Sequence, residues 1–337
     1  MNEQPLVSII MPAYNAAATI ETVLQSIRRQ TVADQIEILV IDGGSTDATR
    51  EIARRYGAIV LENPHRLPEP AKVIGMERAA GRYVIEQDTD EEWIRPTQVE
   101  ERLRLFAQHP EVKCVVCDTQ HPGPHGGLAA RYICLCGDPF NCFINRQKKG
   151  VYRTFYHPHP GQTDPRVLCF EPGEPAPIGD GGTTMFDLDW VKQEFPGEWD
   201  DIRFVCAMTN RIIQRTGCCG CIQGDDIRHH VKAGFATYLS KLRFRVQNNL
   251  FHQQESGFSA RAADAVNTRF ARRKYWFVLY AATVVGPLAD SIRMAMRDKD
   301  PSMLLHIVYV YYVCLYIAYC LLAAKLGKKT RVQSYGK

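Results

Sequence analysis

The sequence lacks a strong excess of charge of either sign, and this limits its partners. Its 337 residues include 41 Lys and Arg against 37 Asp and Glu, a net charge of +4. Dedicated nucleic-acid binders are usually far more basic, so we expect no nucleic-acid partner. Hydrophobic residues make up 45% and charged residues 23%. This composition excludes both an intrinsically disordered chain and a fully polytopic membrane protein.

The sequence also lacks a cationic leader, internal repeats and low-complexity tracts. The first apolar run, residues 6–13, is short and follows Glu3, which is unlike a secretory signal peptide. We therefore expect a chain that is not exported and whose thiols stay reduced. On this interpretation most of the 12 Cys serve as small apolar residues.

Two cysteine patterns could indicate a metal site, and both are weak. Cys114 and Cys117 form a CxxC within an apolar run. On a strand this spacing puts the two thiols on opposite faces, which argues against joint chelation. Cys218, Cys219 and Cys221 precede a His pair, so a zinc site stays open, although the spacing is loose.

The first third of the chain alternates strand and helix patterns. Short apolar runs predict strands at residues 7–11, 37–41, 58–61, 82–86 and 112–117. Apolar residues with helical spacing predict helices at residues 19–29, 47–56 and 71–80. Ser45 or Thr46 would cap the second helix, and Gly81 would end the third. This order predicts an α/β fold with a mostly parallel sheet covered on both faces.

The rest of the chain differs in character. Residues 118–182 are dense in Pro and Gly and show no clear periodicity, so we expect long functional loops there. Basic residues accumulate from Lys241 onward. Two apolar segments follow at residues 272–296 and 303–324, and the second is long enough to span a bilayer.

Polar motifs follow three of the predicted strands, at the edge where open α/β sheets bind ligands. They are Pro-Ala-Tyr-Asn at 12–15, Asp-Gly-Gly-Ser-Thr-Asp at 42–47 and Gln-Asp-Thr-Asp at 87–90. In this order and spacing the chain resembles the family 2 glycosyltransferases. Their GT-A fold is a Rossmann-like, mostly parallel sheet flanked by helices. The resemblance covers residues 5–117 well and about 195–245 loosely. It implies an inverting transfer of a sugar from a nucleotide-sugar donor, most simply a UDP-sugar.

The resemblance also implies a nucleotide pocket. Asp42 would accept a hydrogen bond from the uracil ring, and Gly44 would let the backbone approach the donor closely. Lys72 falls where family members place a residue near the donor, although the usual Asn-x-Gly pattern is blurred here. The implied pocket residues are Pro12, Ala13, Tyr14, Asn15, Asp42, Gly44, Lys72 and Asp88.

A metal site is implied by the third motif. Asp88 and Asp90 flank one residue, so both carboxylates can reach one cation if the chain turns there. Hard oxygen ligands suit Mg²⁺ or Mn²⁺, and such a cation stabilises a leaving diphosphate. The resemblance makes Asp90 the direct ligand and Asp88 a ribose or outer contact. His229 or its neighbour His230 would reach the metal or the diphosphate. A solvated acidic turn and a structural His pair are the alternatives.

An inverting transfer also needs a carboxylate that takes the proton of the acceptor hydroxyl. The resemblance implies Asp201 as this base, with Asp200 beside it, although the spacing to Gly217 is longer than usual. The same pair could simply cap the helix that follows. Asp225 with Asp226 is a rival pair, and Asp187 and Asp189 are weaker candidates.

We therefore predict a GT-A catalytic domain over residues 1–240, followed by a basic linker and membrane-associated helices over residues 241–337. The catalytic domain would divide into a nucleotide-sugar half, 1–117, and an acceptor half, 118–240. Basic residues flank both apolar segments, about 272–296 and 303–324, which favours helices lying in the cytoplasmic leaflet. A single span and a buried helix pair are the alternatives. This organisation predicts an enzyme at the cytoplasmic face of the inner membrane.

An anchored enzyme suits a lipid-linked acceptor, such as a polyprenyl phosphate or a lipid-linked glycan, because both partners then share one surface. Membrane lipids are thus expected partners. Two other functions stay open. A nucleotidyltransferase on a related sheet would need a Gly-rich basic loop after the first strand, where this chain has Pro-Ala-Tyr-Asn. A non-catalytic, membrane-bound GT-A-like protein would bind no nucleotide or bind it without metal.

Overall fold

The computed structural model describes residues 4–145, 150–158, 163–171, 183–231, 234–251 and 276–327. An eight-stranded sheet with the order β3-β2-β1-β4-β9-β6-β10-β8 forms its centre, and a second sheet has the order β5-β11-β7. The strands are β1 Val7–Ala13, β2 Ile36–Asp42, β3 Ile59–Glu62, β4 Tyr83–Glu86, β5 Glu91–Trp93, β6 Cys114–Val115, β7 Gln120–Pro122, β8 Val167–Cys169, β9 Thr184–Asp187, β10 Cys218–Gly220 and β11 Ile227–His229.

Thirteen α-helices surround the two sheets in the described part of the chain. They are α1 Ile20–Arg28, α2 Thr49–Arg55, α3 Pro68–Arg78, α4 Gln98–Gln108, α5 Leu128–Cys136, α6 Pro139–Asn145, α7 Val151–Phe155, α8 Leu188–Glu194, α9 Ile202–Thr216, α10 Phe235–Phe251, α11 Phe277–Ala282, α12 Val285–Asp298 and α13 Leu305–Lys325. Short 3-10 turns lie at Ala33–Gln35 and Pro301–Leu304.

The first four strands are parallel and in register at one edge. Ala13 pairs with Asp42, and Ile10 pairs with Glu86. These strands are apolar almost throughout because helices cover both faces of the sheet. Helices α1, α2 and α4 pack on one face, and α3, α8 and α9 pack on the other. The carboxyl ends of β1, β2 and β4 therefore meet at a single edge.

The remaining strands extend the sheet in mixed directions. β9 runs antiparallel to β4 and β6, whereas β10 is parallel to β6. Because α9 leads directly into β10, α9 ends at the edge where β10 begins. Three-residue strands form the small sheet, in which β11 pairs antiparallel with β5 and parallel with β7.

A third hydrophobic core lies away from the sheet. It joins α5, α6 and α10 to the apolar helices α11, α12 and α13, with residues such as Tyr132, Tyr238 and Tyr309 fully enclosed. One helical segment of the described residues, Pro301–Lys325, is long and apolar enough to cross a membrane, and 22% of its most apolar window is buried. The C-terminal helices thus pack on the protein by one face and expose apolar side chains on the other.

The α/β prediction is confirmed, and several local predictions are wrong. The second helix begins at Thr49 with Ala48 at its N-cap, while the Asp47 carboxylate accepts the Thr49 N–H at 3.0 Å. Neither Ser45 nor Thr46 caps it, because both are used by the preceding loop. The third helix ends at Arg78, before Gly81. Residues 118–182 are not one long loop, since they contain β7, α5, α6, α7 and β8.

Two further expectations concern the helices near the C-terminus. α10 continues across residue 240, where we expected the catalytic domain to end. The first apolar segment is broken between α11 and α12 by Thr283 and Val284, and Val284 has a positive φ of 51°. Residues 272–275 and the basic residues 328, 329 and 331 lie outside the described residues.

Candidate functional site

The loops after β1 and β2 are locked together by side chains. The Gly43 N–H donates to the Ala13 carbonyl at 2.8 Å, and the Asn15 N–H donates to the Ser45 hydroxyl at 2.9 Å. Asn15 has a positive φ of 48°, and its side-chain oxygen accepts the Thr46 N–H at 2.9 Å. Asn tolerates this left-handed conformation better than most residues. Asn15 therefore shapes the loop.

Asp42 lies at the floor of this region, only 2% exposed. Its carboxylate accepts the N–H groups of Gly44 at 3.1 Å and Ser45 at 3.0 Å, and it pairs with Arg50. Burial would raise the pKa of Asp42, but the bonds from Ser45 and Arg50 outweigh it and lower the pKa. A nucleobase that binds Asp42 must share the carboxylate with Arg50.

Three further residues of the implied pocket surround Asp42. Pro12 is half-buried, and Tyr14 exposes 42% of its surface, so its ring is available to a ligand. Gly44 has φ of +89°, and a Cβ added there would meet no atom closer than the Arg66 side chain at 3.8 Å. The positive φ, more than lack of space, is what requires glycine at this position.

The chain turns after β4, as the third motif requires. The Gln87 side chain donates to the Glu91 carbonyl at 2.6 Å and accepts the Trp93 indole N–H at 3.0 Å. The Glu91 N–H donates to the Asp88 carbonyl at 3.2 Å, which closes the turn. Asp88 and Asp90 project from this turn at the edge where β1, β2 and β4 end.

Three carboxyl groups crowd this turn. Protein packed around Asp88 raises the pKa of its carboxyl, and the nearby Asp90 carboxylate adds to the shift, although the side chain opens to solvent on one side. Burial raises the pKa of Glu91 to about 8, and Asp88 adds to it. Glu91 Oε1 is buried without a hydrogen-bond partner among the described residues. Such mutual repulsion is what a bound cation relieves.

His229 lies against the same turn because β11 pairs with β5, in which His229 is opposite Glu91. Its Nε2 is 3.4 Å from Asp90 Oδ2, and its Nδ1 is 3.0 Å from Gln120 Oε1. Burial would lower the pKa of His229, but the contact with Asp90 raises it well above the usual value. In return, His229 overcomes the effect of burial on Asp90 and lowers the pKa of that carboxyl.

Lys72 and His230 border the turn from opposite sides. The Lys72 ammonium is 2.7 Å from Glu86 Oε2, and its charge acts to lower the pKa of Asp88. The His230 N–H donates to the Asp90 carbonyl at 2.7 Å, while its ring pairs with Glu92 at 2.8 Å. The structure therefore brings Lys72 and both histidines to the acidic turn, and their roles there stay predictions.

A buried network that the sequence analysis missed holds the small sheet in place. Arg102 and Asp225 form an ion pair at 2.6 Å with both side chains 0% exposed. Gln98 also donates to Asp225 at 2.7 Å, and the Arg102 guanidinium stacks on the Trp93 ring at 4.7 Å. Asp225 is thus enclosed and paired, which rules it out as the base. The i, i+4 spacing of Gln98 and Arg102 on an otherwise amphipathic helix is the one sequence signal for this network.

Asp201 is the N-cap of α9. Its carboxylate accepts the Arg203 N–H at 2.7 Å and pairs with the Arg203 side chain. This pairing lowers the pKa of Asp201, and Asp200 beside it is exposed. Of the weaker candidates, Asp187 caps α8 and pairs with Arg82. Asp200 and Asp201 therefore stay the predicted base pair.

A cavity of about 230 Å³ opens beside the small sheet. His121 and Asp226 line it and form a pair at 2.8 Å, and Arg153 supplies a cation. Asp118, Thr119, Gln223 and Gly224 complete its lining. All the residues that line the cavity lie in the predicted acceptor half, 118–240.

Comparison with known proteins finds a family match for one segment of the chain. Residues 8–162 match the family model described as Glycosyl transferase family 2. The matched segment includes Asp42, Asp88 and Asp90. The resemblance inferred from the sequence is confirmed for this segment.

Two curated relatives match part of this chain. The hyaluronan synthase of Pasteurella multocida is 33% identical over 135 residues, covering 39% of this chain and 14% of the relative. The glycosyltransferase AglE of Haloferax volcanii is 30% identical over 156 residues, covering 43% and 47%. The alignments span less than half of either relative's length.

The fold is also found in a solved structure. The mannosyltransferase PcManGT from Pyrobaculum calidifontis, described in complex with GDP-mannose and Mn²⁺, has a TM-score of 0.51 and 16% identity to this chain. The superposition covers 94% of this chain and 88% of the mannosyltransferase. This likeness concerns the fold alone, and it confirms the GT-A prediction.

Proposed function

We propose that this chain is an inverting glycosyltransferase that moves a sugar from a nucleotide-sugar donor, most simply a UDP-sugar, to an acceptor hydroxyl or phosphate. The convergence of Asp42, Asp88 and Asp90 at one sheet edge is the observation that supports it most directly. Asp42 lies where a nucleobase would be recognised, and the acidic turn lies where a diphosphate would need a cation. Tyr14 is open to stack on the base.

The donor chemistry requires a divalent cation, Mg²⁺ or Mn²⁺. Asp90 would hold it, with Asp88 as ribose or outer contact and the diphosphate oxygens completing its shell. The unpartnered Glu91 Oε1 and the raised pKa values of Asp88 and Glu91 indicate a turn with excess negative charge, which fits such an ion. When bound, the cation supplies charge stabilisation to the leaving diphosphate. His229 would balance Asp90 in the absence of the ion.

The chain's own residues would then handle the acceptor. Asp201, with Asp200 as neighbour, would accept the proton from the acceptor hydroxyl as its oxygen bonds to the anomeric carbon and the bond to the diphosphate breaks. Attack from the opposite face inverts that carbon. Arg203 now holds Asp201, so we expect the acceptor to displace this exposed ion pair when it binds.

The acceptor is proposed to be lipid-linked, at the cytoplasmic face of the inner membrane. Large apolar side chains are exposed along α12 and α13, including Met296 at 74% and Leu315 at 69%. Exposed apolar faces of this extent are typical of membrane or protein contact. Packing of these helices on α5, in the acceptor half, would bring the acceptor site close to the lipid surface.

A calorimetric titration tests the donor site. Detergent-purified full-length chain is titrated with UDP, with and without Mn²⁺, for wild type, Asp90→Asn and the control Asp34→Asn, an exposed residue remote from the turn. We expect Mn²⁺-dependent binding in wild type and in the control, and its loss in Asp90→Asn. If UDP fails, GDP and dTDP follow. Failure of all three in the presence of Mn²⁺ would refute the transferase proposal.

A further inference from the structure

A compact group of metal-binding side chains lies within the third core. Cys136 at the end of α5, Cys142 on α6 and His306 on α13 are all buried. One ligand atom of each lies within 4.8 Å of the other two. No other trio of His, Cys, Asp or Glu in the described ranges meets this criterion. We call these three residues the thiol–imidazole cluster.

The cluster has the dimensions of a tetrahedral metal site. Zinc bound to sulfur at about 2.3 Å and to nitrogen at about 2.0 Å separates its ligand atoms by less than about 4 Å. The observed limit of 4.8 Å therefore needs only side-chain adjustment. A fourth group is also at hand, since Tyr132 Oη is 3.4 Å from Cys136 Sγ and Met294 Sδ is 3.6 Å from Cys142 Sγ.

The contacts around His306 resemble the outer shell that metal-binding imidazoles usually have. The Nδ1 atom is 2.8 Å from the Tyr132 hydroxyl, and Nε2 is 3.2 Å from the Tyr280 hydroxyl. Tyr280 in turn donates to Asp290 at 2.9 Å. One ring nitrogen can bind an ion while the other stays anchored to a tyrosine, and Asp290 favours that anchored orientation.

Without an ion, the two thiols of the cluster make only weak hydrogen bonds. A thiol is a weak donor and a weak acceptor, and the contacts of Cys136 and Cys142 are with each other, with Tyr132 and with the Met294 thioether. The other cysteines of the third core, such as Cys320, have no His in a comparable group among the described residues.

We propose that the thiol–imidazole cluster binds one Zn²⁺ ion. Binding releases one proton from each thiol, so two thiolates, one neutral imidazole and the dication form a site without net charge. A neutral site is compatible with an apolar core, where an unpaired charge would be costly. Two thiolates and a nearby thioether favour a soft ion such as zinc over the Mg²⁺ or Mn²⁺ that suits the acidic turn.

The role of the ion would be structural. It would join α5 and α6 of the acceptor half to α13, the most apolar helix, through bonds that do not depend on lipid or detergent. Structural zinc sites contribute directly to folding free energy. Nothing in this proposal depends on the donor chemistry, so its failure would leave the transferase proposal intact.

The test measures metal in the full-length protein, purified in detergent without chelator from cells grown with added zinc. Mass spectrometry of the elements should give about one zinc per chain in wild type, in the transferase variant Asp90→Asn and in the control Cys320→Ser. Cys320 is also buried in the third core on α13. We expect at least a tenfold loss of zinc in the double variant Cys136→Ser/Cys142→Ser and in His306→Gln.

Cobalt gives a second measurement that does not require the variants to fold. Protein stripped of metal and loaded with Co²⁺ should show the strong visible absorption of a tetrahedral thiolate site, and zinc should displace it. Absence of this spectrum, or zinc content unchanged in both variants, would overturn the proposal. A Cys136–Cys142 disulfide in wild type purified without air would also overturn it.

Discussion

Arg102 shows how much of this architecture depends on single side chains. It is a fully buried cation that pairs with Asp225, donates to the Thr183 carbonyl at 2.5 Å and stacks on Trp93. Trp93 ends β5, and Asp225 precedes β11. One guanidinium therefore fixes the two strands that bring His229 to the acidic turn.

Replacing Arg102 with Met should destabilise the protein strongly. The substitution keeps much of the volume but leaves the Asp225 carboxylate buried without its cation, and breaking a buried pair in this way costs about 3–5 kcal/mol. The measurement is the free energy of unfolding in urea. Arg104→Met is the matched control on the same helix, because Arg104 is exposed and pairs only with Glu100 in the described structure. We expect the control to change stability by less than about 0.5 kcal/mol.

A loss in Arg102→Met no larger than in Arg104→Met would contradict the network. So would wild-type stability in Asp225→Asn, since the neutral amide would leave Arg102 buried without a counter-charge.

His109 should make stability depend on pH. Its ring contacts Glu111 and Asp164, each at 2.9 Å. Burial would lower the pKa of His109, but these carboxylates raise it. A raised folded-state pKa means that the stabilisation is fully present below the unfolded value of about 6.5 and is lost as pH rises through the folded value.

The check compares wild type with His109→Gln in urea at about pH 5.5 and about pH 9. We expect the variant to lose about 0.5–1 kcal/mol at the lower pH and less at the higher pH. Asp164 does not distort the comparison, because its pKa is lowered, chiefly by Arg166, and it stays ionised at both pH values. An equal loss at both would mean that the protonated ring contributes nothing.

At the residue scale, the sequence predicts best where a side chain follows a strand. Asp42, Asp88 and Asp90 each lie at the end of a parallel strand, so the motif and the sheet edge coincide. Asp225 could not be separated from a candidate base, because its partner Arg102 is 123 positions away in the chain. Pairing over such a distance leaves no local pattern.

At the element scale, the length of a strand or helix decides whether its hydrophobic periodicity can be recognised in the sequence. The seven-residue strands β1 and β2 and the helix α1 carry enough apolar positions to be recognised. β5, β7 and β11 have three residues each, fewer than two full alternations. α5 has apolar helical spacing, but the Pro and Gly residues around it favour a loop interpretation.

Adding one methyl group at Gly81, just before β4, should destabilise the protein. A Cβ on Gly81 would lie 2.7 Å from the Val7 carbonyl carbon and 2.8 Å from the Ser8 nitrogen. These are backbone atoms of β1, which cannot move aside without opening the β1–β4 pairing. We expect Gly81→Ala to destabilise the protein by about 1–3 kcal/mol and to weaken donor binding, because β4 carries the acidic turn.

Thermal unfolding and UDP titration check this prediction together. Gly234→Ala is the control, since a Cβ there meets nothing within 4 Å and its φ is not positive. If Gly81→Ala unfolds like the control, the close approach of Gly81 to β1 is not a constraint in solution.

At the scale of the whole molecule, the exposed apolar side chains are arranged by face. Val285, Leu288, Ile292 and Met296 are exposed on α12 at positions that share one side of the helix, while Ser291 and Met294 face the third core. A helix with this division is typical of one that lies in a membrane interface.

Replacing Leu288 and Ile292 together with Asp should release the protein from lipid. The measurement is co-flotation with vesicles that contain anionic lipid, in which we expect at least a tenfold loss of bound protein. The control is Ile59→Asp, an exposed Ile on the edge strand β3, 50% exposed. Equal flotation of the double variant and wild type would show that α12 is not the contacting face, while loss in the control would indicate a general folding defect.

At this scale the sequence predicts which segments are apolar, but not how they pack. Composition alone identifies the apolar C-terminal segments. It cannot show that α11, α12 and α13 pack on α5 and α6, since the pairing of apolar helices depends on shapes that no single segment encodes.

The packing of α13 on α5 affects which acceptors the catalytic site can reach above a membrane. A transferase held by a flexible tether samples a range of heights above a bilayer, whereas one whose anchor belongs to its own core works at a fixed height. The bridge between Arg131 on α5 and Asp300, just before α13, at 2.7 Å reinforces this rigidity. The distance between the active site and the lipid surface would then be fixed. Among chemically equivalent acceptors, the protein would select those whose reactive group stands at one distance from the lipid, and it would leave shorter and longer ones unchanged.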